Sequence, residues 1–457
     1  PNLNLNPSRL SQTLFPQNPE PNRNSWFYFG ELSKFDMKFL IAVFLFLFLF
    51  SSCQPALRIA GKKARSPLEK ILAAHAADFD SILSKPEVYE VQIIYTQIDR
   101  DANQVPHFTS WFWNVDSTRY FYPASTVKMP LALLALEKIN HLRQSGYPAL
   151  TKNSPYRIDS LRPYQQNYLE DTTAPGNRPS IGHDIRKIFI ASDNQAYNHL
   201  FEFLGRGYIN QTLREKGYSR TGIVRRFFAE GRDNAYTSPI TFQDAAGHTR
   251  WKQKELYDET RWVNPQQKQQ KGWGYIDSRD SLIPEPFHFG NQNWFALTDM
   301  EKMLRAVIFP DAVPEQNRFD LKPDDYRFLW HYMGIFPREC DHPRYDTTNY
   351  WDGYVKFFLF GDTKDHLDGA VRVFNKVGVA YGTLTDVAYV VDFDQNVEFI
   401  LAATILCNPD GVYNDDKYEY DAVGFPFMAK LGRAVHAHEL KRKRRVQPDL
   451  TSFKIAH

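Results

Sequence analysis

The first pattern of apolar and polar positions that organises the chain begins at Pro67. Over residues 68–83 the apolar side chains recur every three or four positions, which predicts a helix. The stretches 89–101 and 107–121 are rich in Ile, Phe, Trp and Tyr, and they predict two strands joined by a turn at 101–105. The chain therefore enters its folded part as helix, strand and strand.

The far end of the chain shows the same kinds of pattern in reverse order. Residues 371–393 and 397–407 predict strands, with breaks at Gly or Asp-Gln-Asn between them. Residues 423–440 predict a closing helix. Because both ends supply strands and helices, we expect them to build one sheet together in a fold of the α+β class.

The middle of the chain, about 125–367, is predicted to be mostly helical or irregular. Residues 235–290 differ from their surroundings, since they are polar, rich in Gln and Lys and weakly periodic. We interpret them as an insertion that forms a surface excursion or a lid. The sheet part then takes about 67–124 and 368–440 of one domain at 67–457.

Residues 37–53 carry the pattern of an export signal. A charged start is followed by an unbroken apolar run of twelve residues, which suits a signal-peptide core better than a membrane span. The small residues before Cys53 resemble a bacterial lipobox, which implies a lipid on its sulfur and a place on the periplasmic face of a bacterial membrane. An ordinary signal peptide or a short anchor is the alternative. We expect 1–36 to be an unstructured leader and 54–66 a polar tether.

The net charge and the Cys and His residues mainly argue against certain partners and ligands. The formal net charge is +2, so there is no general electrostatic reason to expect a nucleic-acid partner. Cys340 and Cys407 could pair in an exported protein, but nothing in the sequence shows that they meet. Cys-Asp-His at 340–342 and His-Ala-His at 436–438 lack a second ligand pair, so we predict no metal and no cofactor. The basic run at 441–445 is predicted to be a solvated helix end.

The stretch FYPASTVKMP places Ser125 three positions before Lys128, after a predicted strand and before an apolar run. Positions i and i+3 of a helix share a face, so the lysine amine can reach the serine hydroxyl. Serine becomes a nucleophile when a base takes its proton, and lysine is such a base when burial keeps its amine uncharged. The N-terminus of a helix also stabilises developing negative charge.

Two further motifs supply partners for this pair. Ser-Asp-Asn at 192–194 is either a helix cap or a site element, in which Ser192 relays a proton and Asn194 holds a substrate. Lys-Val-Gly at 376–378 lies on a predicted strand, where the glycine allows close backbone approach. Lys376 could attract a substrate carboxylate there, or it could lie on a solvated strand face.

The three motifs together resemble those of the penicillin-recognising serine hydrolases, the superfamily of class A β-lactamases and penicillin-binding proteins. Their order in the chain agrees, and SDNQAYNHL and NKVGVAYGTLTDVAYVVD also resemble the family. The resemblance covers about 67–440. It implies an antiparallel sheet flanked by terminal helices, with a helical subdomain that carries the serine.

The resemblance also implies the chemistry. Ser125 attacks a carbonyl and becomes acylated, Lys128 is the general base, and Ser192 passes a proton to the leaving nitrogen. Class A enzymes position the hydrolytic water with a Glu that is followed four residues later by an Asn. Glu230 and Asn234 fit that spacing, although Glu230 could equally be part of a surface ion pair.

Substrate binding follows from the same resemblance. Lys376 anchors a substrate carboxylate, and Asn194 binds a substrate amide. The oxyanion lies between the N–H of the nucleophile and that of Val379, one residue past Gly378. Val377 departs from the family, which usually has Thr at that position, and the lost hydroxyl puts the affinity for β-lactams in doubt.

Three functions remain open from the sequence. The leading one is a serine acyl hydrolase of the class A β-lactamase type, acylated at Ser125 by a β-lactam or a related amide. The second is a D,D-peptidase-like hydrolase of cell-wall peptides, and the third is a non-catalytic peptidoglycan-binding lipoprotein. The expected partners are a small β-lactam or a peptidoglycan peptide and a membrane, through the lipid, and the expected state is a monomer. The stretch PASTVKMP also resembles class D β-lactamases, against which the Ser-Asp-Asn triplet argues.

Overall fold

A computed structural model describes residues 65–163, 165–228 and 231–455. The described residues from Ser66 onward form one compact unit. The predicted leader at 1–36 and the predicted signal peptide at 37–53, with its lipidated Cys53, lie outside the described residues and stay predictions. So does most of the predicted tether.

The helices and strands are as follows in chain order. The helices are α1 (Pro67–Ala74), α2 (Ala76–Leu83), α3 (Pro86–Tyr89), α4 (Lys128–Gln144), α5 (Ile181–Ala191), α6 (Asn194–Leu204), α7 (Arg206–Glu215), α8 (Leu297–Ile308), α9 (Pro323–Gly334) and α10 (Phe425–Lys441). The strands are β1 (Gln92–Arg100), β2 (Pro106–Trp113), β3 (Tyr156–Ile158), β4 (Thr221–Gly222), β5 (Ile240–Gln243), β6 (Thr249–Gln253), β7 (Gln270–Lys271), β8 (Gly274–Ile276), β9 (Leu282–Ile283), β10 (Phe287–His288), β11 (Trp294–Phe295), β12 (Val371–Ala380), β13 (Thr383–Asp392), β14 (Val397–Leu406) and β15 (Val412–Tyr413).

A five-stranded antiparallel sheet, in the order β12-β13-β14-β1-β2, unites the two ends of the chain. The inner strands β13 and β14 are buried on both faces along almost their whole length, which explains their nearly continuous apolar sequences. The edge strand β2 alternates between more and less exposed side chains. The predicted α+β class and the shared sheet are confirmed.

The sheet separates two apolar clusters. One face packs against α1, α2 and α10, and its cluster includes Leu72, Phe79 and Val435. The other face packs against the helical middle of the chain, and its cluster includes Leu134 and Phe201. The strand β12 lies at the edge of the sheet, so its free side is available to other groups.

The helix predicted over 68–83 is broken at His75. The backbone there (φ −115°, ψ 33°) leaves the helical region, and its N–H donates to the carbonyls of Ile71 and Leu72. The apolar spacing runs across the break because α1 and α2 pack on the same cluster, so periodicity alone did not reveal two helices.

The middle of the chain holds α4 to α9, but it is less helical than predicted. Short strands from β3 to β11 occur there, six of them between residues 240 and 288. Part of the predicted insertion is buried, since Phe287 and Phe289 pack against Tyr122 and Ala124, directly before the predicted nucleophile. The polar composition of 235–290 concealed these apolar anchors.

Four further features that the sequence raised can be compared with the structure. Cys340 and Cys407 are both free thiols and lie buried in different apolar clusters. Among the residues that the structure describes, no group of His, Cys, Asp and Glu could hold a metal ion. No helix in this part of the chain is long and apolar enough to cross a bilayer. The solvated end expected at 441–445 is wrong in part, because Arg442 and Arg444 surround the buried carboxylate of Glu439.

Candidate active site

The turn that carries Ser125 is tight and strained. A single 3₁₀ turn, Ala124–Val127, precedes α4 and follows a buried aromatic stretch. Ala124 has a φ of +47°, a value that L-residues other than Asn and Asp rarely adopt. The N–H and the hydroxyl of Thr126 both donate to the Pro123 carbonyl, at 3.1 and 2.7 Å. This turn presents Ser125 as a half-buried side chain at the start of the helix.

Lys128 is fully buried, and its amine contacts both the serine of its own motif and the Ser-Asp-Asn motif. Its Nζ lies 2.7 Å from Ser125 Oγ, as the i, i+3 spacing predicted. The same amine donates to the backbone carbonyl of Ser192 and to Asn194 Oδ1, at 2.7 Å for the latter. Ser192 Oγ lies 3.3 Å away. The structure thus brings Ser125, Lys128, Ser192 and Asn194 together.

These contacts fit the charged amine, which would donate to all three oxygens, and they also fit the uncharged amine. A neutral lysine has two N–H donors and one lone pair, and the Ser192 carbonyl and the Asn194 amide oxygen are both acceptors. With both N–H groups used, the lone pair is left for the hydroxyl of Ser125, 2.7 Å away. Lys128 is therefore positioned to accept the proton of Ser125.

The Ser-Asp-Asn motif forms the expected helix cap and also lies beside Lys128, while the proton relay and the substrate contact stay predictions. Ser192 ends α5 in the left-handed conformation (φ +55°), and Asp193 caps α6 by accepting from the N–H of Ala196 at 2.8 Å. The junction of the two helices turns Ser192 Oγ toward the lysines and starts α6 with Asn194. The helix cap is what holds the site residues in place.

Lys376 reaches the same hydroxyl from the sheet. Its Nζ donates to Ser192 Oγ at 2.8 Å and to the carbonyl of Val377 at 3.0 Å, and it is 2% exposed, so the alternative of a solvated strand face is wrong. Gly378 explains how β12 comes so close to the nucleophile turn. A Cβ at Gly378 would lie 2.5 Å from the carbonyl oxygen of Pro123.

The N–H of Val379 points to the free edge of the sheet. The loop at 381–382 has two residues, both with positive φ, as in the hairpin turns that match strand twist. In such a hairpin the closing pair, Ala380 and Thr383, is hydrogen-bonded, so the next pair, Val379 and Leu384, is not. Because β12 is an edge strand, the amide of Val379 is turned outward, away from β13.

Burial lowers the pKa values of the amines of Lys128 and Lys376. Burial lowers the pKa of Lys128 from 10.5 to about 7, and the nearby Asp193 only partly opposes that shift. Burial, and next the like charge of Lys128, hold the pKa of Lys376 well below its ordinary value, while Asp386 acts in the opposite direction. Two charged amines that share the Ser192 hydroxyl would repel each other strongly. The pair of lysines is therefore expected to carry one positive charge and not two.

Two further residues that the sequence analysis discussed are Val377 and Glu230. Val377 is 3% exposed and belongs to the apolar cluster under the terminal helices, so it contributes packing and no hydroxyl. Glu230 lies outside the described residues, and its water-positioning role stays a prediction. Its partner Asn234 is buried, and its side-chain oxygen accepts from the N–H of Arg226 at 2.8 Å.

The sequence did not predict a buried polar chain behind Lys376. Asp386 is fully buried on β13, and its carboxylate accepts from Asn375 Nδ2 at 2.8 Å. Asn375 Oδ1 in turn accepts from Lys356 Nζ at 3.0 Å. Burial raises the pKa of Asp386 to about 6. The sequence signal for this polar chain was Asp386, an acidic residue within the largely apolar stretch TLTDVAYVV.

Asp386→Asn is expected to weaken the binding of anionic substrates only above about pH 6. The Asn side chain imitates the protonated carboxyl, which dominates in the unaltered protein below its pKa of about 6. Above that pH, the carboxylate favours the charged form of Lys376, and its loss lowers the pKa of that amine further. We expect KM for a β-lactam carboxylate to rise about tenfold at pH 8 and to be unchanged at pH 5. Equal KM values for both proteins at pH 8 would contradict this role.

A comparison with known protein families finds one match. A family model described as the beta-lactamase enzyme family matches residues 78–319, which include Ser125, Lys128 and Ser192 but end before Lys376. No curated protein matches the chain.

Several solved structures are similar to the chain at low identity. A variant of the last common ancestor of Gram-negative class A beta-lactamases, bound to 5(6)-nitrobenzotriazole, is 16% identical with a TM-score of 0.44, over 82% of this chain and 98% of that one. A beta-lactamase from Xanthomonas campestris is 15% identical with a TM-score of 0.43, over 81% and 97%. PBP-A is 15% identical with a TM-score of 0.44, over 80% and 96%. Because the matching family model spans more than half of the residues of this chain, the chain belongs to the beta-lactamase enzyme family.

Proposed function

We propose that the protein is a serine acyl hydrolase of the class A β-lactamase type, acylated at Ser125 by a β-lactam or a related amide. One observation carries the proposal: the Lys128 amine, with a pKa lowered to about 7, lies 2.7 Å from Ser125 Oγ. A base with a pKa near neutrality is well suited to take a proton at physiological pH.

The first half of the reaction uses groups already in place. The proton of Ser125 moves to the lone pair of Lys128 as Oγ attacks the substrate carbonyl. The oxygen of that carbonyl becomes negative and is stabilised by the N–H groups of Ser125 and Val379. Loss of one such donor costs about 3–4 kcal/mol in comparable sites.

The second half returns the proton to the leaving nitrogen. Ser192 Oγ lies 3.3 Å from Lys128 Nζ and accepts from Lys376 Nζ at 2.8 Å. Its own O–H is therefore available to donate to the substrate nitrogen, while it takes up the proton held by Lys128. The C–N bond then breaks, which leaves the acyl group on Ser125. Water hydrolyses this ester in the last step.

A D,D-peptidase-like amide hydrolase of cell-wall peptides is the second candidate. The observation that favours it is the buried Val377, which offers no hydroxyl to a β-lactam carboxylate. Acyl transfer by Ser125 and Lys128 does not depend on that hydroxyl. The two candidates share the first step and differ in the preferred substrate.

Turnover by the full-length chain distinguishes these functions. We expect steady hydrolysis of a chromogenic cephalosporin by the unaltered protein and none by Ser125→Ala. Release of D-alanine from a muropeptide, with a β-lactam acylating the protein without turnover, would favour the peptidase instead. Absence of both reactions in the unaltered protein would overturn the proposal.

A further inference from the structure

The amine of Lys128, besides its hydrogen bonds, lies over an aromatic ring. The ring of Phe227 has its centroid 5.0 Å from Lys128 Nζ. The other sides of the amine are occupied by Ser125, Ser192 and Asn194. A ring at that distance leaves little room for a water molecule on the amine.

The position of Phe227 is fixed by a clamp on its backbone. Asn198, on α6, accepts from the N–H of Phe227 at 2.9 Å and donates to its carbonyl at 3.1 Å. The ring also packs on that of Tyr197, with centroids 4.5 Å apart, and the Tyr197 hydroxyl donates to the carbonyl of Arg225 at 2.7 Å. The helix that carries Asn194 therefore also holds the ring over Lys128.

We propose that Phe227, held by Asn198, is a positioning residue that keeps water off the Lys128 amine, so that this lysine remains an uncharged base between turnovers. The catalytic meaning of this role rests on the proposed function, but the exclusion of water from the amine does not. Phe227 needs no contact with the substrate to act in this way.

The two effects of an aromatic ring on a lysine oppose each other. The face of the ring attracts the charged form, which raises the pKa of the amine, while its bulk removes water, which lowers that pKa. The pKa of Lys128 lies at about 7 although the ring is present, and burial is the leading cause. The charged groups that face this amine in the described residues are Asp193 and Lys376, and neither lies on the segment of Phe227.

A titration of Lys128 by NMR tests the proposal without any substrate. The full-length chain is labelled with [ε-¹³C]lysine, and the Lys128 signal is identified as the one absent from Lys128→Met. We expect a midpoint near 7 in the unaltered protein and a rise of about one unit or more in Phe227→Ala, because water then reaches the amine. Phe228→Ala is the matched control, since that neighbouring side chain is 52% exposed.

A second variant separates exclusion of water from attraction by the ring. Phe227→Leu keeps an apolar side chain of similar reach but lacks the aromatic face, so its midpoint should stay within about half a unit of the unaltered value. A fall of the midpoint in both Phe227 variants would show attraction by the ring and overturn the proposal. An unchanged midpoint in Phe227→Ala would also overturn it. If the unaltered protein forms no acyl-enzyme while these midpoints move as expected, the proposed function fails and the role of Phe227 stands.

Discussion

Replacing Lys128 with Met lowers the rate of Ser125 acylation by about 10³-fold, the loss expected when a general base is removed. The amine is the one base within 3 Å of Ser125 Oγ among the described residues, at 2.7 Å. The unaltered protein should acylate faster as pH rises through about 7, because only the deprotonated amine can accept the proton. In Lys128→Met this rise disappears. Stopped-flow acylation by a chromogenic β-lactam between pH 5 and 9 measures both effects.

Lys138 provides the matched control. It lies on the same helix, burial also lowers its pKa to about 7, and its amine donates to Gln253 Oε1 at 2.8 Å, away from the nucleophile. Lys138→Met also removes a buried amine but should keep the acylation rate within about threefold, because that amine touches no group of the reaction. Equal losses in the two variants would show that removal of a buried lysine, and not of a base, causes the effect.

Replacing Gly378 with Ala lowers acylation by about 10²-fold and destabilises the fold by about 1–3 kcal/mol. The added Cβ would lie 2.5 Å from the carbonyl oxygen of Pro123, which is a backbone atom and cannot rotate away. Either β12 or the turn that carries Ser125 must shift, and both hold reacting groups. Thermal unfolding and acylation rates measured on the same preparation record the two consequences.

A glycine in a roomier place serves as the control for that substitution. Gly207 lies in α7, and a Cβ there would meet side-chain atoms of Asp258, the nearest at 3.3 Å. Gly207→Ala should leave acylation unchanged and keep or slightly raise stability, since Ala favours the helix. If Gly378→Ala acylates at the unaltered rate, the close approach of strand and turn does not position the nucleophile.

Much of the site could be predicted because its chemistry lies in short, ordered motifs. Ser125 and Lys128 are three positions apart, and helical spacing alone brings their polar atoms together. Ser192 and Lys376 are far away in sequence, and their placement depended on the order of the motifs and the predicted strand. The strands of the sheet were also predictable, since their apolar runs are long and bounded by clear breaks.

The unpredicted parts depend on contacts between residues that are distant in sequence. Phe227 meets Lys128 across 99 positions, and its pairing with Asn198 has no sequence motif. Arg444 belongs to a run that reads as a solvated helix end, yet the buried Glu439, which also accepts from the Tyr95 hydroxyl, draws its guanidinium inward. Such partners are decided by packing, which spacing along the chain does not encode.

The most direct test of the shared site is intact-mass spectrometry of the full-length chain after exposure to penicillin, followed over time. The geometry predicts one added mass equal to that of the drug, located on the peptide that carries Ser125, and its later loss as the ester is hydrolysed. Ser125→Ala should gain no mass. An unmodified protein, or a modification that persists at another residue in Ser125→Ala, would contradict the account.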